Sequence, residues 1–534
     1  MASTVRPELV QNAASRWVPT HVNGSTAIPF QGIASRNPEG NKASSPIRSC
    51  KDYPADGNKL AANLRKALEK AGLRDGMVLS THHHLRNGDF IAAQLFKVAS
   101  EMGVKDLIWL PSATFPCHAE LIPYLESGVI RGIQGSLNGP LGAFASQGKM
   151  RDTAVLRSHG GRYRAVQDGD IKIDIAVLAA PAADHFGNAT GTLGPSACGS
   201  LGFSLVDSQF ADHIIIVTDT LVPFPCIPLQ IEGNNVDQVV EIDSIGDSSK
   251  IVSGTTQITR SPDRLLIARY AAQFLQDSGI LQNGFSFQAG AGGTSLAFVS
   301  YIRDLMIEHD VKAQFVRGGS TGYMVKLLEE GLTDCILDGQ SFDLDGVRSL
   351  RDNPRHVATS PFNSYNYHGK GNIASILDCS VLGATEVDLD FNANVATHSD
   401  GRMLHGLGGF PDALFAKCTI LTVPLFRNRV PIVRDRVTTL CGPGELVDVI
   451  VTERGIAVNP RREDLLSALS SSGLPLRTLP SLKEEAEDIC GGAPAQPQIR
   501  DEVIGVIEWV DGTLLDCVHA VEIDEDSTLQ GEEV

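Results

Sequence analysis

Two stretches far apart in the chain carry one pattern, and this repeat constrains the fold more than any other feature. Ile173 to Asn188 reads IDIAVLAAPAADHFGN, and Leu377 to Asn392 reads LDCSVLGATEVDLDFN. Asp174 matches Asp378, Asp184 matches Asp388 and Asn188 matches Asn392, each pair 204 positions apart. Downstream, Gly199-Ser-Leu-Gly202-Phe203 answers Gly406-Leu-Gly408-Gly409-Phe410, and Phe210-Ala211 answers Phe415-Ala416. The matched positions include polar turn residues as well as strand Val and Ile, so two related folding units are expected. A chain of 534 residues is also too long for one ordinary core, and size alone suggests two domains of about 200 residues.

Apolar runs at Met77–Thr81, Asp106–Leu110, Val129–Gly132, Ile173–Ala179 and His213–Val217 alternate with helical or loop segments. That alternation predicts an α/β fold with mainly parallel open sheets, in two tandem domains. The expected divisions are an irregular N-terminal arm over 1–55, one domain over 56–280, a second over 281–521, and an acidic tail over 522–534. The boundary between halves falls near Asp277–Asn283. Leu60–Ala71 reads as a helix ending at Gly72. Residues 353–372 read as an excursion loop, and Glu502–Val521 as a final hairpin turning at Asp511-Gly512.

Charge and cysteine usage exclude several classes. A formal charge of −18 argues against nucleic acid and an anionic membrane as partners. Ten Cys are scattered without a C-x-x-C pair, which is poor spacing for a structural metal site or a disulfide framework. They read as reduced core thiols of a cytoplasmic protein. No run reaches the roughly 18 apolar residues of a membrane span. The first residues lack the apolar core of a secretory signal; Arg6, Arg16, several Ser and a single acid, Glu8, fit a transit peptide, and a disordered extension is the preferred reading.

Chemistry concentrates in loops that follow strands. His82-His83-His84-Leu-Arg86-Asn87-Gly88-Asp89 sits between a strand and a helix, where open α/β sheets place ligands. In a strand only His82 and His84 share a face, and no nearby Cys or Glu completes a metal set. A polar turn and an anion or substrate contact both stay open for this loop. In the second half, Gly290-Ala-Gly292-Gly293-Thr-Ser295 and Arg317-Gly318-Gly319-Ser-Thr-Gly322 each precede a helix. Ser295 stands where a dinucleotide fingerprint wants Gly, so NAD is disfavoured. Gly406-Leu-Gly408-Gly409 is a third such corner. Backbone N–H groups at glycine corners can hold an anion or a developing oxyanion.

Several strings in order carry a family resemblance: the His82–Asp89 loop, Ile245-Gly-Asp247 with Ser253-Gly-Thr-Thr256, Gly318-Gly-Ser-Thr-Gly-Tyr-Met324, Asp390-Phe-Asn-Ala-Asn394-Val, Asp435-Arg-Val-Thr438 and Val451-Thr-Glu-Arg-Gly-Ile-Ala-Val-Asn459. Over roughly residues 50–521 the chain resembles the citrate lyase alpha chain family, whose members are citrate CoA-transferase subunits. The resemblance implies tandem CoA-transferase-like domains. It implies a transferase that exchanges acetyl for citryl on a carrier thioester. It also implies CoA or a phosphopantetheine-type thioester as co-substrate, with no covalently bound cofactor and no metal. The partners implied are citrate, acetyl-CoA or acetyl carrier protein, a citryl lyase subunit and an acyl carrier subunit in an oligomeric complex. The wider fold carries a nucleophilic Glu in a Glu-Asn-Gly string. By order along the chain it would fall near Arg317-Gly318-Gly319, where no carboxylate stands; Glu386 and Glu453 are the alternatives.

Citrate is a trianion, and the planar fork of Arg suits carboxylate. The expected substrate contacts are His82, His83, His84, Arg86, Asn87, Arg317, Gly318, Gly319, Asn394 and Arg402. The expected oxyanion donors are Gly408, Gly409, Gly292 and Gly293. Competing readings are a CoA-transferase or acyl-CoA hydrolase for another acid, and a non-catalytic scaffold subunit.

Overall fold

The alternating strands and helices form two sheets with one strand order, as a computed structural model describes them over residues 7–36, 46, 48–251, 257–290, 292–366 and 369–522. In the first lobe the order is Leu60–Ala61, Gln238–Glu241, His213–Thr218, Ile175–Ala179, Val78–Thr81, Leu107–Pro111, Ile130–Ile133, all parallel. In the second it is Gly455–Val458, Val449–Thr452, Thr419–Thr422, Cys379–Gly383, Ser286–Ala289, Phe315–Ser320, Ile336–Ser341, His356–Ala358. Only the Val449–Thr452 and Gly455–Val458 pair is antiparallel there. Ile175–Ala179 and Thr419–Thr422 are buried throughout, as parallel sheets covered on both faces require.

The repeated acids turn out to be brackets that tie strand ends together. Asp174 Oδ2 accepts from Val78 N at 2.8 Å, and Asp378 Oδ2 accepts from Ser286 N at 2.8 Å. Asp184 accepts from Asn188 Nδ2 and from Cys226 N, and Asp388 likewise from Asn392 Nδ2 and Val437 N. Asn188 Oδ1 then accepts from Gly233 N, and Asn392 Oδ1 from Gly444 N, both at 2.9 Å. These residues satisfy buried turn amides that would otherwise cost about 1–3 kcal/mol each. Their repetition reports shared architecture and gives no sign of shared chemistry.

Several segments differ from expectation. Leu60–Ala61 is a strand, and the helix starts only at Leu64, where Asn63 caps it by accepting from Lys66 N. The expected excursion loop contains strand His356–Ala358 and helix Pro361–Tyr365. The N-terminal arm is not wholly irregular. Leu9–Gln11 pairs with Trp17–Pro19, and Asn12 Nδ2 donates to the carbonyls of Leu514 and Leu515. The hairpin Ile499–Glu508 and Leu514–Val521 crosses back to the first half, pairing in parallel with Ala154–Arg157. A division at residue 281 therefore does not separate the two halves spatially. The tail from residue 523 and Ser253–Thr256 lie outside the described residues. Among the described residues no helix is long and apolar enough to cross a membrane.

Candidate functional site

Strand Val78–Thr81 delivers the His82–Asp89 loop to the edge of the first lobe, and the three imidazoles part company there. His82 Nε2 lies 2.9 Å from Asp207 Oδ2, deep in the lobe. Arg162 donates to both oxygens of Asp207 at 2.8 Å. Burial opposes the Asp207 charge, but Arg162 outweighs it and holds the carboxyl well below the usual range. Burial keeps His82 neutral. His84 Nε2 meets Ser204 Oγ at 2.8 Å, and burial lowers it to about 3. Both rings are buried in the lobe with a partner at Nε2, while neither Nδ1 has a hydrogen-bond partner among the described residues. His83 turns the other way. Its Nδ1 lies 2.5 Å from Ser112 Oγ, its ring stacks 6.0 Å from His159, and Gln340 of the second lobe donates to its carbonyl.

Arg86 sits at the turn with φ +50° and is 9% exposed. Its guanidinium carbon lies 4.6 Å over the Phe342 ring and 5.5 Å from Phe115. Burial lowers its pKa only to about 10, so it stays charged at neutral pH. Asn87 is exposed and accepts from Cys117 N, bracing the neighbouring loop. Gly88 is packed so closely on Asp247 that an added Cβ would sit 2.0 Å from the Asp247 carbonyl oxygen. The Ile245–Asp247 run is thus the seat of the His–Arg loop.

In the second lobe, strand neighbours Ser286–Ala289 and Phe315–Ser320 place Gln288 beside Arg317. Arg317 is 2% exposed, donates to Gln288 Oε1 at 2.8 Å and lies 4.5 Å over the Tyr365 ring. Its Nε has no hydrogen-bond acceptor among the described residues. Gly318 has φ +127° at a register shift, which frees the strand tip. Gly319 is pressed under Phe342, the ring that carries Arg86. Gly292 caps the 16-residue helix Gly293–Glu308 with open space beyond its Cα. Gly293 is shielded on one side by Gln257 and Thr259.

The third glycine corner belongs to the second half of the chain but lies on the first lobe. An added Cβ on Gly406 would strike Ser136. Gly408 has φ +57°, and its carbonyl accepts from His159 N at 2.8 Å. Gly409 faces the Tyr365 hydroxyl and the His159 ring. One residue on, helix Phe410–Ala413 carries Asp412, which is 4% exposed. Asp412 accepts from Ser158 Oγ at 2.8 Å and from Gly160 N at 3.0 Å. Burial raises its pKa to about 7 against those two bonds and the charge of Arg317. Burial also lowers His159 to about 3, with the charges of Arg162 and Arg317 acting in the same direction. A cavity of about 190 Å³ adjoins this corner, lined by Tyr365, Asn366, Asn372, Asp412 and Phe415 among others.

Contacts thus run from Gly409 through Tyr365 to Arg317, from Gly408 through His159 to His83, and from Arg86 through Phe342 to Gly319. Gly292 and Gly293 are not part of these contacts, and Asn394 and Arg402 lie apart from them with local partners of their own. Asn394 Nδ2 donates to Glu386 and Thr397, and its Oδ1 accepts from Ala396 N and Thr397 N, so the whole amide is spent inside its own turn. Arg402 pairs with Asp400 at 2.7 Å on a surface turn. Glu386 is held by Arg434, Thr438 and Asn394, and Glu453 accepts from Leu425 N. His159, Tyr365, Gln288 and Asp412 were not singled out from the sequence. Their one advance signal was Ser158-His-Gly-Gly161, a helix start with an imidazole in its first turn. Among the described residues no group of three or more His, Cys, Asp or Glu forms a metal cluster.

Comparison with known proteins follows the same outline. The model of the family "Citrate lyase, alpha subunit (CitF)" matches residues 57–521. The citrate lyase alpha chain of Escherichia coli K12 is 40% identical over 479 residues, covering 89% of this chain and 94% of its own. That of Klebsiella pneumoniae is 42% identical over 466 residues, covering 87% and 91%. A solved structure of the citrate lyase alpha subunit of Streptococcus mutans, in complex with citrate, superposes with TM-score 0.91 at 40% identity, covering 96% of this chain and all of that one. The malonate decarboxylase alpha subunit of Acinetobacter baumannii shares the fold at 16% identity and TM-score 0.57, covering 78% and 86%.

Proposed function

The chain belongs to the citrate lyase alpha subunit family, and we propose that the crevice between its lobes is where citrate meets the acetyl thioester. The family reaction is transfer: citrate displaces acetate from an acetyl thioester and leaves as a citryl thioester. As an alpha chain this protein is one subunit of a multi-subunit enzyme. In our reading the thioester is presented on the phosphopantetheine arm of a small carrier subunit, acetyl-CoA serves in its place, a separate subunit cleaves the citryl group, and the assembly is cytoplasmic.

One observation carries the assignment. In a chain of net charge −18, two arginines are buried beside glycines: Arg86 lies over Phe342, which presses on Gly319, and Arg317 lies over Tyr365, which faces Gly409. A trianion needs cations held against that overall field, and a buried guanidinium binds carboxylate more strongly than an exposed one. Arg86 and Arg317 take citrate carboxylates, His83 lines the pocket as a neutral hydrogen-bonding ring, and Gly319 leaves room for the Phe342 ring that carries Arg86. A citrate carboxylate oxygen attacks the acetyl carbonyl carbon. The tetrahedral oxyanion collapses to a mixed anhydride as the C–S bond breaks and thiolate leaves. The thiolate then attacks the citryl carbonyl, and acetate departs with its electron pair. No net proton moves, because the nucleophile is already ionised. Backbone amides at Gly408-Gly409 or Gly292-Gly293 hold the oxyanion, each donor contributing about 3 kcal/mol, and fixed alignment supplies much of the remainder.

The test is exchange of labelled acetate for citrate on acetyl-CoA by the purified chain, followed by hydroxylamine or borohydride trapping. Direct attack gives exchange with no labelled side chain. A labelled Glu would overturn the direct route, and activity confined to a different acid would overturn the substrate.

A further inference from the structure

Asp412 follows the glycine corner in the second half of the chain, and what it holds is the start of a helix from the first half. Helix His159–Asp168 begins with Ser158 as cap, whose Oγ accepts from Gly161 N at 2.9 Å. Asp412 takes the Ser158 hydroxyl on one oxygen and Gly160 N on the other. The fit leaves no slack: a Cβ on Gly160 would lie 2.4 Å from Asp412 Oδ1. Ser158 is fully buried and Asp412 nearly so. Between the two gripped residues stands His159, whose N–H donates to Gly408 O and whose ring stacks on His83 and meets Phe203 edge-on. The carboxylate, the imidazole and the glycine corner are therefore one closed unit joining the two halves of the chain.

The geometry points to Asp412 as a positioning residue of the exchange reaction, one that clamps Ser158 and Gly160 so that His159 and Gly408-Gly409 keep the shape needed to receive the oxyanion. It acts through its neighbours and touches no reacting atom. The carboxylate form accepts both bonds with full charge, while the protonated form grips less strongly. The charged or titratable groups around it are Arg317 from the neighbouring strand tip, Tyr365 from helix Pro361–Tyr365 and His159 from the clamped helix. Arg317 favours the ionised clamp and burial opposes it, which places its titration near neutrality. Activity is accordingly expected to rise as the clamp ionises.

Asp412→Asn keeps the volume but has one acceptor oxygen for two donors, the Ser158 hydroxyl and Gly160 N. In the full chain, hydrogen exchange of the Gly160 and Gly161 amides should accelerate tenfold or more. Citrate exchange on acetyl-CoA should fall at least tenfold in kcat with KM for citrate changed less than threefold, and the rise of kcat with pH near neutrality should flatten. Ser158→Ala removes one of the two bonds and should give a smaller change in the same direction, which keeps the test alive if the Asn variant does not fold. Unchanged amide exchange, or a kcat within twofold of the parent with the same pH profile, overturns the clamp. The activity arm rests on the transferase reading. If the parent chain itself shows no citrate exchange, that reading fails while the amide-exchange arm still decides the clamp.

Discussion

Gly319→Ala isolates the seat of Arg86 without touching the arginine. The new Cβ would stand 1.6 Å from Phe342 Cε2 and 2.0 Å from Cδ2, where carbon atoms need about 3.5–4.0 Å. The ring must therefore move by about 2 Å. Phe342 supports the Arg86 guanidinium at 4.6 Å, and a shift of that size away from the arginine carries the pair past the limit of about 6 Å for such contacts. Overpacking costs about 1–3 kcal/mol of stability. Displacing the cation should raise KM for citrate about tenfold or more, equivalent to about 1.4 kcal/mol. Thermal unfolding reads the first effect and acetyl-CoA exchange kinetics the second. In Gly319→Ala/Phe342→Leu the smaller side chain relieves the clash but returns no ring to the arginine. Stability should recover and KM should not. A Gly319→Ala enzyme with parental KM would refute the argument that this stack sets the citrate site.

Further outcomes follow from the same geometry. Arg86→Ala should cut kcat/KM for citrate at least tenfold, or about 1.4 kcal/mol, and unchanged kinetics would remove Arg86 from the site. Stability should fall as pH drops below 6.5, because His84 is held neutral by burial down to about 3 while the unfolded chain binds a proton there. The slope is about 1.4 kcal/mol per pH unit for each such histidine. His84→Gln, which can keep the bond to Ser204, should lower the slope of unfolding free energy against pH by about one proton between pH 4 and 6. An identical slope would contradict the neutral assignment.

The architecture was legible because its marks are local. Asp184 and Asp388 stand at fixed distances from Asn188 and Asn392, and each pair ties its own turn before reaching a distant amide. Parallel strands buried on both faces also announce themselves as unbroken Val and Ile runs. The site was only partly legible, because its members meet through tertiary contacts that spacing does not encode. His82, His83 and His84 look equivalent in sequence, yet the turn after Thr81 sends His82 to Asp207, His84 to Ser204 and only the His83 ring to His159 beside the glycine corner. Asn394 looked like a ligand because it lies in a polar string, but it closes its own loop. Arg402 likewise has a local partner, Asp400 two residues away. Asp412 went unassigned because its partners, Ser158 and Gly160, are about 250 residues distant. The final hairpin joined the first half for a related reason, since the partner strand of a β-edge is set by packing and not by order along the chain.

A crystal structure of the chain soaked with citrate tests the central claim most directly. The account predicts citrate between the lobes, with carboxylate oxygens within about 3 Å of the Arg86 or Arg317 guanidinium and of amides at a glycine corner. Citrate bound at a face that excludes both arginines would contradict it.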